Sequence, residues 1–99
     1  MPALDAFRLD GRVALVTGAS GGLGAAIARL FAQAGARLVL AARRADRLEN
    51  LAAALNEAGG QVLAAPTDVT LEAQVRRLLD LTLQRFGRID VLVNSAGLM

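Results

Sequence analysis

Apolar residues along this chain follow two rhythms in turn. Short, nearly unbroken apolar runs occur at 12–17, 38–42, 61–65 and 89–93. Between them lie longer stretches in which apolar residues recur every three or four positions, the spacing of one face of a helix. The first, 22–34, carries Leu23, Ile27, Leu30, Phe31 and Ala34. The second, 45–58, carries Leu48, Leu51, Leu55 and Ala58. The third follows Thr70 and carries Val75, Leu78, Leu79, Thr82 and Phe86. Gly35, Gly59-Gly60 and Gly87 close the three stretches, and Pro66 closes the third apolar run. Thr70 is expected to cap the third helix, and Glu72 to sit near the positive end of its dipole. Glu72 and Arg76, four apart, should face water as an ion pair.

The pattern reads β-α-β-α-β-α-β. Strands apolar on both faces, separated by helices, imply a parallel sheet covered on both sides and joined by right-handed crossovers. The expected fold class is α/β, a Rossmann-type sheet of about four strands in the order 3-2-1-4. Ligands of such sheets bind outside the carboxyl ends of the strands, where the strand order reverses. Four signals fall at those ends: the stretch from Gly18 to Gly24, Arg43, Asp68, and the run from Asn94 to Gly97.

The first is the most informative. Thr17-Gly18-Ala19-Ser20-Gly21-Gly22-Leu23-Gly24 leaves a strand and opens a helix. Gly18 can turn the chain sharply, Gly22 lets backbone approach a ligand, and Gly24 lets the helix pack tightly on the strand. The first helical turn leaves N–H groups without partners at the positive end of the dipole, where a pyrophosphate would complete them. A glycine-rich βα turn with no ligand would use the same residues.

Composition narrows the chemistry. The 99 residues are 55% hydrophobic, yet no apolar run approaches the ~20 residues that span a bilayer. The first residues show no basic segment followed by an apolar one, so no signal peptide is expected. Cysteine and histidine are absent, which removes disulfides, thiolate metal sites and the commonest general base. These features suit a cytoplasmic protein. All eleven basic residues are arginine, against nine acidic ones, a net charge of only +2. With three Phe and no Trp or Tyr for stacking, neither nucleic acid nor membrane is an expected partner.

Together these residues resemble the short-chain dehydrogenase/reductase family along the whole chain. Thr17 to Gly24 fits its T-G-x-x-x-G-x-G cofactor motif, and Leu9-Asp10-Gly11-Arg12-Val13 looks like its approach to the first strand. Asp68-Val69 matches the acidic residue that contacts adenine in the family, and Asn94-Ser95-Ala96-Gly97 is similar to its N-N-A-G motif, with Ser95 replacing the second Asn. The resemblance implies a cofactor site built from Gly18, Ser20, Gly21, Gly22, Leu23, Gly24, Arg43, Arg44, Asp68, Val69, Asn94, Ala96 and Gly97. Asn94 can also tie neighbouring backbone segments together, and Asp68 can cap the turn before the third helix. Members of the family are considerably longer, and their catalytic Ser and Tyr-x-x-x-Lys follow the N-A-G motif. No position here corresponds to them, so the chain reads as the cofactor-binding, N-terminal part of one Rossmann domain, with no catalytic residue of its own.

The end of the second strand addresses the choice of cofactor. An NAD site usually has an acid there to hold the ribose hydroxyls. This chain has Ala42 followed by Arg43 and Arg44. Removing the carboxylate removes a repulsion, and a guanidinium can hold a 2′-phosphate through paired hydrogen bonds. Arg43, directly after Ala42, is the better candidate, Ser20 could add a hydroxyl, and Arg44 could equally be solvated. NADP(H) is therefore the preferred cofactor, with NAD(H) still possible.

The leading functional reading is the cofactor-binding part of an NADP(H)-dependent oxidoreductase acting on an alcohol or ketone. A catalytically inactive nucleotide-binding module is the alternative. A methyltransferase-like fold is disfavoured by Arg43, because that site presents an acid to its cofactor. A P-loop NTPase is excluded by the missing Gly-Lys-Ser/Thr ending. Apolar residues on both faces of the fourth strand, which has no following strand to pair with, also predict self-association.

Overall fold

The computed structural model describes residues 8–95. Four parallel strands, β1 (Val13–Thr17), β2 (Arg37–Ala42), β3 (Gln61–Pro66) and β4 (Val91–Asn94), form one sheet in the order β3-β2-β1-β4. Helices α1 (Gly22–Gln33), α2 (Ala45–Glu57) and α3 (Glu72–Phe86) connect them. Strand order, strand direction and element sequence are those the hydrophobic pattern predicts. Register brings Leu15 beside Val39 and Leu92, and Val16 beside Leu40 and Val93.

The two faces of the sheet pack separately. Ala14, Val16, Leu38, Leu40 and Ala42 meet Ala25 and Ala28 of α1 and Leu48, Leu51 and Ala52 of α2. On the other face, Leu15, Val39, Ala41 and Ala65 meet Leu78 of α3, with Leu81 and Phe86 packed alongside. All five residues of β1 are buried, and so are Leu38 to Ala42 of β2. Two central strands sealed on both faces place their carboxyl ends firmly, and everything at the candidate site hangs from those ends.

Three expectations require correction. Of the α1 stripe, Phe31 packs on the core and Ala34 is buried, but Leu23 is 55% and Leu30 41% exposed, and Gly24, Ala25 and Ala28 turn inward instead. Apolar residues lie almost all round this helix, so spacing alone does not choose a face. The small residues turn inward because they let the helix axis approach the sheet. On α3, Leu78 and Thr82 are buried, whereas Leu79 is exposed. Thr70 does not cap α3. Its hydroxyl and N–H both donate to Asp68 Oδ1, at 2.6 and 2.9 Å, and the helix starts after Leu71 with no side-chain cap.

Strand ends differ by a residue or two from the apolar runs. The largest shift is at β4, which begins at Val91 rather than Ile89 because Asp90 takes over the ladder. Asp90 Oδ2 accepts the Val13 N–H at 2.9 Å, and Oδ1 accepts from Arg88 at 2.7 Å. The Arg88 guanidinium and the Val13 N–H hold the Asp90 carboxyl below its ordinary value. Glu72 and Arg76 face water as expected, 3.8 Å apart.

Shortening Leu15, which is buried against α3, should cost about 2–5 kcal/mol of stability, read as a lower urea midpoint at unchanged slope. Leu92→Ala, at a side chain 63% exposed on the same sheet face, should change stability by less than about 0.5 kcal/mol. Equal losses at both positions would contradict this account of the core.

Candidate functional site: the carboxyl edge of the sheet

The site begins where β1 ends. Gly18 takes a positive φ of 67°, which turns the chain out of the sheet at once. Ala19 N–H then donates to Ala41 O of β2 at 3.2 Å, tying the loop to the neighbouring strand. Gly21, in extended backbone, is the N-cap of α1, and Gly22 opens the helix at φ 55°. No acidic side chain stands in the first turn, and Gly21 offers no side-chain cap. The first-turn N–H groups thus have no side-chain cap, at the positive end of a twelve-residue helix.

Gly24 explains why the loop is so tight. A Cβ there would lie 2.1 Å from Gly18 O and 2.6 Å from Ser95 Oγ. The expected close packing of helix on strand is therefore real, and it closes the loop on itself. A Cβ on Gly22 would meet nothing within 4 Å, so that glycine faces open space, as backbone meant for a ligand should.

Ser95 completes this knot from β4. Its hydroxyl donates to Thr17 O, and its N–H approaches the same carbonyl at 3.3 Å. Asn94 Oδ1 accepts the Thr17 hydroxyl at 2.9 Å. Asn94 thus ties β4 to β1, one of the two roles its sequence position allows. The substitution of Ser for Asn at 95 finds a clear use: a small hydroxyl fits the narrow space between Gly24 and the end of β1. Ala96 and Gly97 lie outside the described residues.

Beside the glycine loop, a cleft of about 310 Å³ opens over the ends of β2 and β3. Gly18 and Ser20 form one wall, Ala42, Arg43 and Arg44 the floor and lip, and Thr67, Asp68, Val69 and Thr70 the far wall. Thr67 N–H donates to Ala42 O at 2.8 Å, which fixes the far wall to β2. Thr67 is buried, and its hydroxyl donates to Ala65 O at 2.8 Å. No sequence signal beyond its place before Asp68 marked it. Asp68 N–H is held by Gln74 Oε1 at 2.8 Å, and the Asp68 carboxylate accepts from Thr70. That second contact closes the turn at Thr70; Asp68 does not cap α3, which starts after Leu71 with no side-chain cap. The Thr70 hydroxyl and N–H, and then the charge of Arg43, keep its carboxyl below the ordinary value, so it is ionised at neutral pH.

Arg43 Nε stands 3.9 Å from Asp68 Oδ2 across the cleft, with the arginine largely exposed. Arg44 Nε stands 3.7 Å from Asp46 Oδ1. Such solvent-exposed pairs are worth about 0–1 kcal/mol, so neither arginine is committed to its partner. Leu23 is exposed beside the glycine loop, and Val69 is exposed on the cleft wall. Gly18 to Gly24, Arg43, Arg44, Asp68, Val69 and Asn94 therefore all come to one edge. Asn94 reaches the site through Thr17 rather than through the cleft. Among the described residues there is no group of three or more His, Cys, Asp or Glu placed to hold a metal, and no helix long and apolar enough to cross a membrane.

A cradle of bare backbone at a helix N-terminus, beside a cleft of this size with a basic lip, fits a dinucleotide: pyrophosphate on the helix and adenosine in the cleft. Known proteins share the fold. The family model described as short chain dehydrogenase matches residues 12–99. A D-threitol dehydrogenase of Mycolicibacterium smegmatis is 50% identical over 91 residues, 92% of this chain and 35% of its own length. A solved 7α-hydroxysteroid dehydrogenase, complexed with NADH and 7-oxo glycochenodeoxycholic acid, superimposes with a TM-score of 0.87 at 39% identity, covering 91% of this chain and 35% of its own. A short-chain dehydrogenase/reductase from Burkholderia phymatum in complex with NAD gives a TM-score of 0.84 at 41% identity, covering 87% and 31%. The chain thus spans about a third of the length of such relatives.

Gly24→Ala should lower stability by about 1–3 kcal/mol or more, because the carbonyl it meets is backbone and cannot swing aside. Gly22→Ala meets no atom and carries only the cost of positive φ, about 1–2 kcal/mol. Urea denaturation of both variants checks the order. A Gly24→Ala protein as stable as wild type would disprove the tight loop.

Proposed function

The chain belongs to the short-chain dehydrogenase family, and on that premise we propose that it forms the cofactor-binding part of an NADP(H)-dependent oxidoreductase. The observation that carries the reading is the lip of the cleft, where the end of β2 offers the Ala42 methyl and the Arg43 and Arg44 guanidiniums and no carboxylate. In this reading the first turn of α1 holds the pyrophosphate, and the cleft between Ser20 and Asp68 takes the adenosine. Asp68 and Val69 border the base. Asn94 borders the ribose. Arg43 leaves its long contact with Asp68 to engage the 2′-phosphate, which costs little because that pair is exposed.

The bound nicotinamide would supply or accept a hydride, with an alcohol or ketone as the substrate. What this chain contributes is binding and orientation: the glycine loop fixes the pyrophosphate, and the loop's tie to β2 and β4 fixes the glycine loop. It has no Tyr, His or Lys to move a proton near neutral pH. The 99-residue chain by itself is accordingly proposed to bind cofactor without turning over substrate. Two of the similar structures were solved with NADH or NAD. The preference for NADP(H) here rests on the Ala42-Arg43 pair alone.

Arg43→Ala should weaken NADPH binding by about 10- to 150-fold, the worth of one charge-assisted contact of about 1.5–3 kcal/mol, and leave NADH binding nearly unchanged. Fluorescence titration with both cofactors measures this. Equal weakening of the two would remove Arg43 from the 2′-phosphate site.

Self-association is proposed on separate grounds. Among the described residues β4 pairs only with β1, and its Leu92 side chain is exposed, so one backbone edge and an apolar position stand open. Sedimentation of the 99-residue chain at micromolar concentration should show dimers or larger species. A stable monomer would refute the proposal.

A further inference from the structure

A second basic cleft, of about 280 Å³, lies between α1 and α2. Ser20, Arg29, Arg47 and Asn50 supply its polar lining. Ser20 also lines the adenosine cleft, so the two meet at that hydroxyl. Arg47 sits in the first turn of α2, an exposed position on a helix otherwise anchored by Leu48 and Leu51. Its side chain runs back over the glycine loop: Nη1 lies 4.0 Å from where a Cβ on Gly21 would stand. Gly21 has no side chain, and the Arg47 guanidinium stands over that bare backbone.

Charge distribution singles this residue out. A phosphate monoester carries about −1.5 to −2 charges near neutral pH. At the adenosine cleft, Arg43 stands 3.9 Å from Asp68 across the cleft and Arg44 3.7 Å from Asp46, each in a long, exposed contact with a carboxylate. Arg47 and Arg29 form no salt bridge within 4.0 Å among the described residues, and they share one cleft. Of the two, Arg47 is the one whose guanidinium lies against the glycine loop.

We propose that Arg47, reaching over Gly21 from the first turn of α2, is a second guanidinium for the cofactor's 2′-phosphate, which it holds together with Arg43 and the Ser20 hydroxyl. The proposal rests on the NADP(H) reading and adds to it a guanidinium that forms no salt bridge within 4.0 Å among the described residues. Arg43 approaches from the end of β2 and Arg47 from the first turn of α2, so the phosphate is gripped from two elements. A Cβ on Gly21 would stand at ordinary contact distance from the guanidinium, 4.0 Å from Nη1.

The test uses the full chain with NADPH and NADH, and with adenosine 2′,5′-bisphosphate and adenosine 5′-monophosphate as minimal probes. Binding constants are measured for wild type, Arg47→Ala, Arg47→Lys and Arg43→Ala. Arg47→Ala should weaken NADPH and the bisphosphate by about 10-fold or more, with NADH and the monophosphate changed less than about 2-fold, and Arg47→Lys should keep part of the preference. In wild type, the Arg47 side-chain Nε–H resonance should shift with the bisphosphate and stay in place with the monophosphate. If wild type prefers NADPH and only Arg43→Ala removes the preference, Arg47 is not a ligand and the NADP(H) reading stands without it. If Arg47→Ala weakens both cofactors alike, its role is structural and the proposal fails. If wild type shows no preference for NADPH, the NADP(H) reading fails and this proposal fails with it.

Discussion

The close contact at Gly24 sets the geometry of the whole site. Helix α1 starts against the carbonyl of Gly18, at a separation no side chain would allow. That contact keeps the loop between β1 and α1 short, and a short loop aims the helix N-terminus at the space above the sheet. Ser95 fills the remaining gap from β4 and takes the Thr17 carbonyl. Three elements distant in sequence are thus locked at one point, and the partner-free N–H groups of the first turn are presented from a rigid base.

The rest of the site follows from strands that cannot shift. β1 and β2 are sealed on both faces, and the terminal carbonyls of β2 anchor loops from both neighbours, with Ala41 O accepting from Ala19 and Ala42 O from Thr67. The two walls of the cleft are therefore hung from one strand end. Their separation is set by the sheet spacing rather than by the loops' own preferences. A cleft built this way is largely preformed, which lowers the cost of ordering it around a ligand.

Polar side chains at the edge divide their work between holding the fold and facing the cleft. Asn94 and Ser95 spend their hydrogen bonds on β1. Asp68 spends one oxygen on Thr70 and leaves the other toward Arg43. The arginines stay exposed and weakly paired, free to respond to an anion. Hydrogen-bonded side chains thus lie beneath, and exposed guanidiniums above them.

The sequence by itself determined the order of elements, the parallel sheet with its 3-2-1-4 arrangement, the glycine loop at the carboxyl edge and the absence of an acid after β2. The elements and the edge residues depend on local period and residue type, and the strand order on the crossover rules that a β-α-β alternation obeys. Tertiary structure alone decided which face of α1 turns inward, because its apolar residues nearly encircle the helix and only the approach to the sheet favours Gly24, Ala25 and Ala28 over Leu23 and Leu30. It decided that Thr70 serves Asp68 instead of α3, since a hydroxyl can satisfy either and the path of the loop chooses. It also laid Arg47 over Gly21, twenty-six positions away in sequence, a proximity that exists only once α1 and α2 pack on the same face of the sheet.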